Sequence, residues 1–434
     1  MEPARSTPSP YTPGYNQVPS VLAGRDDVLA AADEAIERAA LDRQVPPALV
    51  LVGPRGMGKS VLLTHIASRA EPYGWPRLTI DTPGPGQLAA EVAKQARRLR
   101  DILAQEPARK GYRVTEAVMR ANLPGVGAEV HLSRQAQQEQ PGLPLSIEDV
   151  LAPLVALAAE GETGIVLTVD EAQDAAAEEL RALATFHQRA VEANWPVVLL
   201  VAGLPPLRTG GLKSSFERAD WFDIGPLSPP ATLTALAEPA VRAGRPYEAG
   251  AAEHLAAHTG GYPYAVQLYG HAAWRRSQGQ PVISAGAVDL AVPSAGAQLE
   301  RNLYSQRWQR TPPRERQYLV ALAETIAAGG DPTGAAVAER LGVTAKDLSM
   351  IRERLIDKGT LVAAGRALSF VVPGLAASVL RQEREPATIG DLLTVSFPGP
   401  VITPTVPAEA GPRQVLDTPG PGQVPRDFDG DLDR

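Results

Sequence analysis

Gly53-Pro54-Arg55-Gly56-Met57-Gly58-Lys59-Ser60 fits the pattern G-x-x-x-x-G-K-[ST] at every position. What surrounds the string limits the fold. Residues 48–52 are a short apolar run suited to a strand covered on both faces, and residues 61–69 carry a helical pattern. Strand, glycine-rich turn and helix in that order curl backbone N–H groups around one point at a helix N-terminus, where the positive partial charge favours an anion. Lys59 is expected to neutralise the β- and γ-phosphates of a nucleotide such as ATP. The Ser60 hydroxyl is expected to ligate Mg²⁺. Gly53, Pro54, Arg55, Gly56, Met57, Gly58, Lys59, Ser60 and Val61 are the candidate phosphate-binding residues.

The rest of the first half repeats the alternation. Apolar runs at 78–81, 165–169 and 197–202 are separated by helical patterns at 87–103, 147–159 and 175–193, with another at 26–40. Such alternation predicts an α/β fold with a parallel sheet and right-handed crossovers. The run from Gly164 reads GIVLTVDEAQD, an apolar strand ending in Asp170-Glu171. Asp170 at a strand tip can hold Mg²⁺ through water, and Glu171 is placed to polarise an attacking water. After residue 228 the strand signals fade, and 232–243, 251–257 and 264–277 read as a small helical bundle.

Composition removes several alternatives. With no cysteine, disulfides, Cys-ligated zinc and thiol catalysis are ruled out. No apolar stretch approaches the roughly 20 residues that cross a bilayer, and residues 1–15 have no apolar core of a secretory signal. A soluble, reducing cytoplasm is the expected setting, with no membrane partner. The net charge of −7 argues against a surface that coats nucleic acid throughout, though not against a local basic patch. His254 and His258 share a helix face but lack the Glu of a metalloprotease motif, so a solvated face is the simpler reading. Residues 1–19 and the Pro/Gly-rich tail 383–434 are expected to stay disordered. The tail holds nine acids and four bases. DTPGPGQ occurs twice, at 81–87 and 417–423, with no evident physical reason.

Taken together, residues 22 to about 370 resemble an AAA+ ATPase, more narrowly its origin-recognition, initiator-like branch and the related STAND NTPases. The resemblance implies an ATPase base over 20–228, a helical lid over 229–290, a connector over 291–311 and a further domain over 312–382. Leu22-Ala23-Gly24-Arg25-Asp26-Asp27 is similar to the family's segment beside the adenine, which implicates Gly24 and Arg25. Residues 196–205 resemble the strand that carries sensor 1. Arg218, within Ser215-Phe216-Glu217-Arg218, resembles an arginine that reaches a γ-phosphate in its own or a neighbouring subunit. The alternative for Arg218 is an ion pair with Glu217 or Asp220, and Arg208 is a weaker candidate. Gly260-Gly261-Tyr262-Pro263 resembles the lid turn whose proline, here Pro263, packs on the adenine.

Two departures bear on rate. The sensor 1 strand ends Val201-Ala202-Gly203-Leu204 with no polar side chain, and Tyr262-Pro263-Tyr264-Ala265 offers no sensor 2 arginine. Arg275 and Arg276 fall about three turns further along. The resemblance therefore implies ATP binding with slow hydrolysis, as in a switch, with Glu171, Lys59 and Arg218 as the catalytic set.

The last unit predicts helices at 313–327, 333–341 and 345–358 followed by a hairpin, the order of an α+β winged helix. Lys346, Ser349, Arg352, Glu353, Lys358 and Arg366 lie away from its apolar side. Nine bases against seven acids over 311–382 leave a modest +2. Double-stranded DNA and a partner protein both remain open as its ligand, as does homo-oligomerisation. Lys94, Arg97, Arg98 and Arg100 make a basic cluster on a helix, with Arg109 and Lys110 soon after; a solvated helix face is the simpler reading and contact with DNA or a partner the alternative. Three activities stay open: a DNA-binding ATPase, a STAND-like signalling or defence regulator, and a nucleotide-binding scaffold with little hydrolysis.

Overall fold

The computed structural model describes residues 7–14, 16–105, 146–209 and 215–384. Five strands make one parallel sheet: β1 (Leu49–Val52), β2 (Arg77–Asp81), β3 (Ile165–Asp170), β4 (Val197–Gly203) and β5 (Asp220–Asp223), in the order β2-β3-β4-β1-β5. The side chains explain its two covered faces. Leu49 and Leu51 join Val198, Leu200 and Ala202 in one core, while Val50 and Val52 join Val197, Leu199, Val201, Ile165 and Val169 in the other. Successive residues of a strand point to opposite faces, so an uninterrupted apolar run needs a layer on each side.

Helices α1 (Asp26–Ala40) and α2 (Lys59–Ser68) cover the first face. Val28, Ala32, Ala35, Ile36 and Ala39 form the buried stripe of α1. Helices α3 (Leu88–Gln105), α4 (Ile147–Glu160) and α5 (Ala177–Ala193) cover the second. Lys94, Arg97, Arg98 and Arg100 lie on the exposed face of α3, with Lys94 paired to Glu91 at 2.9 Å. The register aligns Val52 with Gly203 and Asp81 with Asp170, so the C-terminal strand tips share one edge. Ligands of open α/β sheets bind at that edge. A one-turn helix, α6 (Pro206–Thr209), follows β4.

The lid comprises α7 (Pro229–Arg242), α8 (Ala251–Thr259), α9 (Pro263–Arg276) and α10 (Ala285–Leu299). Ser228 caps α7 through Ala231 N, and Arg245 lies 4.1 Å over the buried Trp274 ring. Tyr262, Tyr269 and Trp274 are buried in the lid, and Tyr264 is half-buried. A lid ending at 290 is not what the fold contains. Val288, Ala291, Ala295 and Leu299 carry one buried stripe across that position, so α10 continues to Leu299. A π-helical segment (Glu300–Tyr304) and α11 (Ser305–Gln309) occupy most of the expected connector.

The last unit runs α12 (Pro313–Ala327), α13 (Gly334–Leu341), α14 (Ser349–Asp357), β6 (Leu361–Ala364), β7 (Ala367–Phe370) and α15 (Leu375–Arg384). Strands β6 and β7 pair antiparallel, and Thr333 bridges to Ala367 as a short third rung. The third helix starts at Ser349 rather than 345. Thr344 and Asp347 exchange hydrogen bonds, Oγ1 to Oδ2 at 2.7 Å and N to Oδ2 at 3.1 Å, and hold 345–348 in a turn. Lys358 is not a free surface cation. Its Nζ donates to the Glu315 carboxylate at 2.7 and 2.8 Å, and Glu315 is 3% exposed.

The N-terminal expectation also needs correction. Tyr11 is 2% exposed, its hydroxyl donates to Leu236 O and meets Tyr247 at 3.0 Å, and Thr12 N donates to Gln267 Oε1. Trp274 Nε1 donates to Thr7 O. One aromatic ring and a few polar anchors hold a Pro- and Ser-rich strap on the lid. Residues 1–6, Arg109, Lys110, the second DTPGPGQ copy and the acidic tail from 385 lie outside the described residues. Among the described residues no helix is long and apolar enough to cross a membrane.

Candidate nucleotide site

The turn after β1 leads into α2 with Gly56 and Gly58 at φ 85° and 88°, backbone that L side chains rarely adopt. Gly58 caps α2, so the loop's N–H groups converge at that helix start. Lys59 is 6% exposed and bends back, its Nζ donating to Gly53 O at 2.8 Å and Pro54 O at 3.0 Å. Burial pulls its proton affinity below the usual lysine value, against the attraction of Glu171 and Asp170. A desolvated ammonium held by two carbonyls beside two carboxylates is suited to receive a phosphate.

Asp170 ends β3 near the Ser60 hydroxyl, and its Oδ1 accepts Glu171 N at 2.8 Å. Burial raises the Asp170 carboxyl above the ordinary value, opposed by these two donors. One hydroxyl beside one desolvated carboxylate is the hard-oxygen pair that Mg²⁺ takes when phosphates and water complete its shell. Ser60 and Asp170 therefore fit the ion, which would neutralise phosphate charge there. Among the described residues no group of three His, Cys, Asp or Glu side chains could hold a metal, and His254 instead faces Asp289.

Glu171 sits at φ 49°, the left-handed turn that ends the strand. Gln173 Nε2 donates to Glu171 Oε2 at 2.7 Å, and Gln173 Oε1 accepts the N–H of Leu204, just past β4, at 3.0 Å. A Cβ at Gly203 would lie 2.9 Å from that Oε1 and 2.1 Å from Leu207. The space a side chain at Gly203 would need is thus filled by Gln173, in the turn after β3, and by Leu207 of α6. The string DEAQD contained Gln173, but only the adjacency of β3 and β4 reveals its use.

A cavity of about 690 Å³ opens over the loop. Arg25, Arg55, Gly56, Met57, Gly58, Lys59, Ser60, Val61, Glu171 and Pro263 all line it. Gly53 and Pro54 supply the carbonyls to Lys59 rather than wall. Arg25 ties the loop down, donating to Gly225 O at 2.6 Å and Met57 O at 3.3 Å. Gly24 lies just outside, its α-carbon packed on Ala231. A Cβ at Gly56 would fall 1.9 Å from the Tyr262 hydroxyl, so the lid presses on the loop directly.

Wall contributors outside any motif include Gln17 and neighbouring residues of the N-terminal strap, Asn302 and Leu303 of the π-helical segment, and Arg307 of α11. Arg218 is not among the lining residues. It is exposed, and makes no ion pair among the described residues. Arg208 is engaged with Asp223 at 3.2 Å and lies 5.5 Å from the Trp221 ring centre. Arg275 and Arg276 are exposed at the far end of α9.

A phosphate loop between β1 and α2, with an acidic pair at the tip of a nearby parallel strand, defines the fold as that of a P-loop NTPase. Residues 21–201 match the AAA ATPase domain family. Residues 301–379 match a second family, described as a domain of unknown function, DUF8462. Comparison with curated proteins finds no match. Among solved structures, the Aeropyrum pernix ORC2 protein in ADPNP–ADP complexes is similar at 14% identity and TM-score 0.55, covering 86% of this chain and 98% of that one. The Walker-type ATPase paby2304 of Pyrococcus abyssi is similar at 16% identity and TM-score 0.53, covering 83% and 96%. The expected likeness to initiator-type AAA+ proteins is thus borne out as a shared fold.

Proposed function

We propose that this chain is an ATP-driven molecular switch that hydrolyses slowly and passes nucleotide state to its C-terminal unit, read as a winged helix over 312–382. The supporting observation is how the cavity is walled. The base supplies the loop and Glu171, the lid supplies Tyr262 and Pro263, and α11 supplies Arg307. A ligand can shift an arrangement only if it binds one arrangement better than another. A cavity shared by three parts gives ATP that leverage. Mg²⁺ at Ser60 and Asp170, and Glu171 as the group that orients water, complete the reading.

The C-terminal unit favours a brake over an open DNA reader in the arrangement described. A Cβ at Gly359, in the turn before β6, would lie 3.3 Å from Arg55 N, and one at Gly260 would lie 2.5 Å from Pro373. The unit therefore rests on the phosphate loop and on the lid turn. Lys358 is spent on Glu315, which leaves Lys346 and Arg366 as exposed cations of the expected DNA face. Duplex DNA remains the second reading for that face, once released.

Phosphate release by the full chain and by Glu171→Gln tests the switch. A slow wild-type rate that the variant loses, with ATP retained, is expected. No measurable release from either would leave only the scaffold reading. DNA binding is tested by its salt dependence, where a flat log–log slope removes phosphate contacts from the account. If Arg218 acts in trans, the rate per chain rises with protein concentration in the wild type and not in Arg218→Ala.

A further inference from the structure

We propose that Arg307 binds the terminal phosphate of the nucleotide, doing from the connector what the lid helix cannot. The inference rests on the nucleotide-binding reading of the site.

The lid turn Tyr262-Pro263-Tyr264-Ala265 carries no cation, and the arginines of α9 lie at its other end. Arg307 enters the same cavity from a different element. The route depends on the π-helical segment Glu300–Tyr304, which directly precedes α11. A π turn adds one residue per turn and so rotates the downstream helix by about 100° relative to a continuous α-helix. Such insertions re-aim side chains.

The local charge balance fits an anion. Arg307 is half-buried and lines the cavity with Arg55, Lys59 and Tyr262. Among the described residues no carboxylate pairs with its guanidinium, whereas Arg69, Arg189, Arg242 and Arg340 each have one. Burial lowers its proton affinity, and Arg55 lowers it further. A cation desolvated without a partner costs free energy unless a ligand supplies the opposite charge. Arg55 also neighbours Lys59, whose ammonium rests at the Gly53–Pro54 end of the loop. The phosphate-loop lysine reaches the β- and γ-phosphates, so this is the terminal-phosphate end.

The mounting explains why the residue could report. Glu300, at the start of the π segment, accepts from Ser378, Arg381 and Gln382 of α15, and Tyr304 donates to Pro373 O. Arg307 is therefore carried on a segment clamped by the C-terminal unit. A phosphate that pulls on the guanidinium pulls on that clamp.

Equilibrium binding of ATP and ADP to the full chain, with Mg²⁺, tests this in wild type, Arg307→Ala, Arg307→Lys and Lys59→Ala. Arg307→Ala is expected to weaken ATP about tenfold to hundredfold while ADP changes less than about threefold. Arg307→Lys recovers part of the loss, and Lys59→Ala weakens both nucleotides. Melting without nucleotide gives an independent readout: Arg307→Ala melts no lower than wild type, because the guanidinium has no carboxylate to lose. Equal losses for ATP and ADP, an unchanged ATP affinity, or a large drop in the nucleotide-free melting temperature would each overturn the role of Arg307. Wild-type protein that binds neither nucleotide, or Lys59→Ala that binds both normally, would instead overturn the site reading itself.

Discussion

Gln173 holds Glu171 at 2.7 Å with its amide N–H while its carbonyl oxygen grips the N–H of Leu204 at 3.0 Å. One side chain thus spans the tips of two adjacent strands and fixes the carboxylate that would orient water. At the end of β4 a Cβ on Gly203 would lie 2.9 Å from Gln173 Oε1 and 2.1 Å from Leu207, so no side chain fits beside this bridge. Gln173→Ala frees Glu171 without touching the loop, so ATP affinity should stay within about twofold. The hydrolytic rate should fall about tenfold to hundredfold, the usual range for losing an orienting group. Single-turnover phosphate release against equilibrium binding separates the two. A matching loss of affinity would mean Gln173 supports the loop instead.

Asp170 gives a pH prediction. Burial raises its carboxyl, so without metal the folded chain holds that proton better than the unfolded chain does. Its contribution to stability therefore falls as pH rises from the ordinary carboxylate value through the raised one. Mg²⁺ competes with the same proton. The gain in ATP affinity on adding Mg²⁺ should fade on acidification at a higher pH than an ordinary carboxylate sets. In Asp170→Asn that gain should be small at every pH. Binding titrations with Mg²⁺ and with chelator across the acid range check it, and an undiminished Mg²⁺ effect in Asp170→Asn would remove the residue from the metal site.

The phosphate loop and the Asp170–Glu171 pair were legible because each is contiguous in sequence and its context of strand and helix is local. The strands were legible for the same reason, since a run such as Leu49-Val50-Leu51-Val52 needs cover on both faces wherever it sits. What escaped depends on distant chain. Gln173 acquires its role only when β4 lies beside β3. Arg307 reads as an ordinary polar residue until a π turn aims it. Tyr11, set among prolines and serines, gives no periodic signal, yet Leu236 and Tyr247 make a socket for it. Lys358 looked like a helix-face cation because its partner Glu315 is 43 residues away.

That pair makes a stability prediction. Glu315 is buried and Lys358 about half exposed, so the bond lies between a surface ion pair and a buried one. Lys358→Ala strands the carboxylate, and should cost about 1–3 kcal/mol, less than the 3–5 kcal/mol for breaking a fully buried pair. Glu315→Gln in the same chain should recover much of the loss by removing the unpaired charge. Denaturant melts of the single and double variants measure both. If Lys358→Ala leaves stability unchanged and reduces duplex binding instead, the lysine belongs to a DNA face.

The N-terminal strap provides the last test. Tyr11 fills a socket on the lid with a hydroxyl bonded to Leu236 O, and residues just after it wall the nucleotide cavity. Removing that hydroxyl leaves Leu236 O without its donor and the ring in place, so Tyr11→Phe should cost about 1 kcal/mol of lid stability. Tyr11→Ala empties the socket, which should cost about 3–5 kcal/mol locally and release the strap. Release should then weaken ATP and ADP by a similar factor, because among the described residues no hydrogen bond or ion pair joins the strap to Lys59 or Glu171. Limited proteolysis near residue 20, compared with nucleotide binding by the same variants, links the two effects. A Tyr11→Ala protein that is cut faster but binds both nucleotides normally would make the strap a brace for the lid alone.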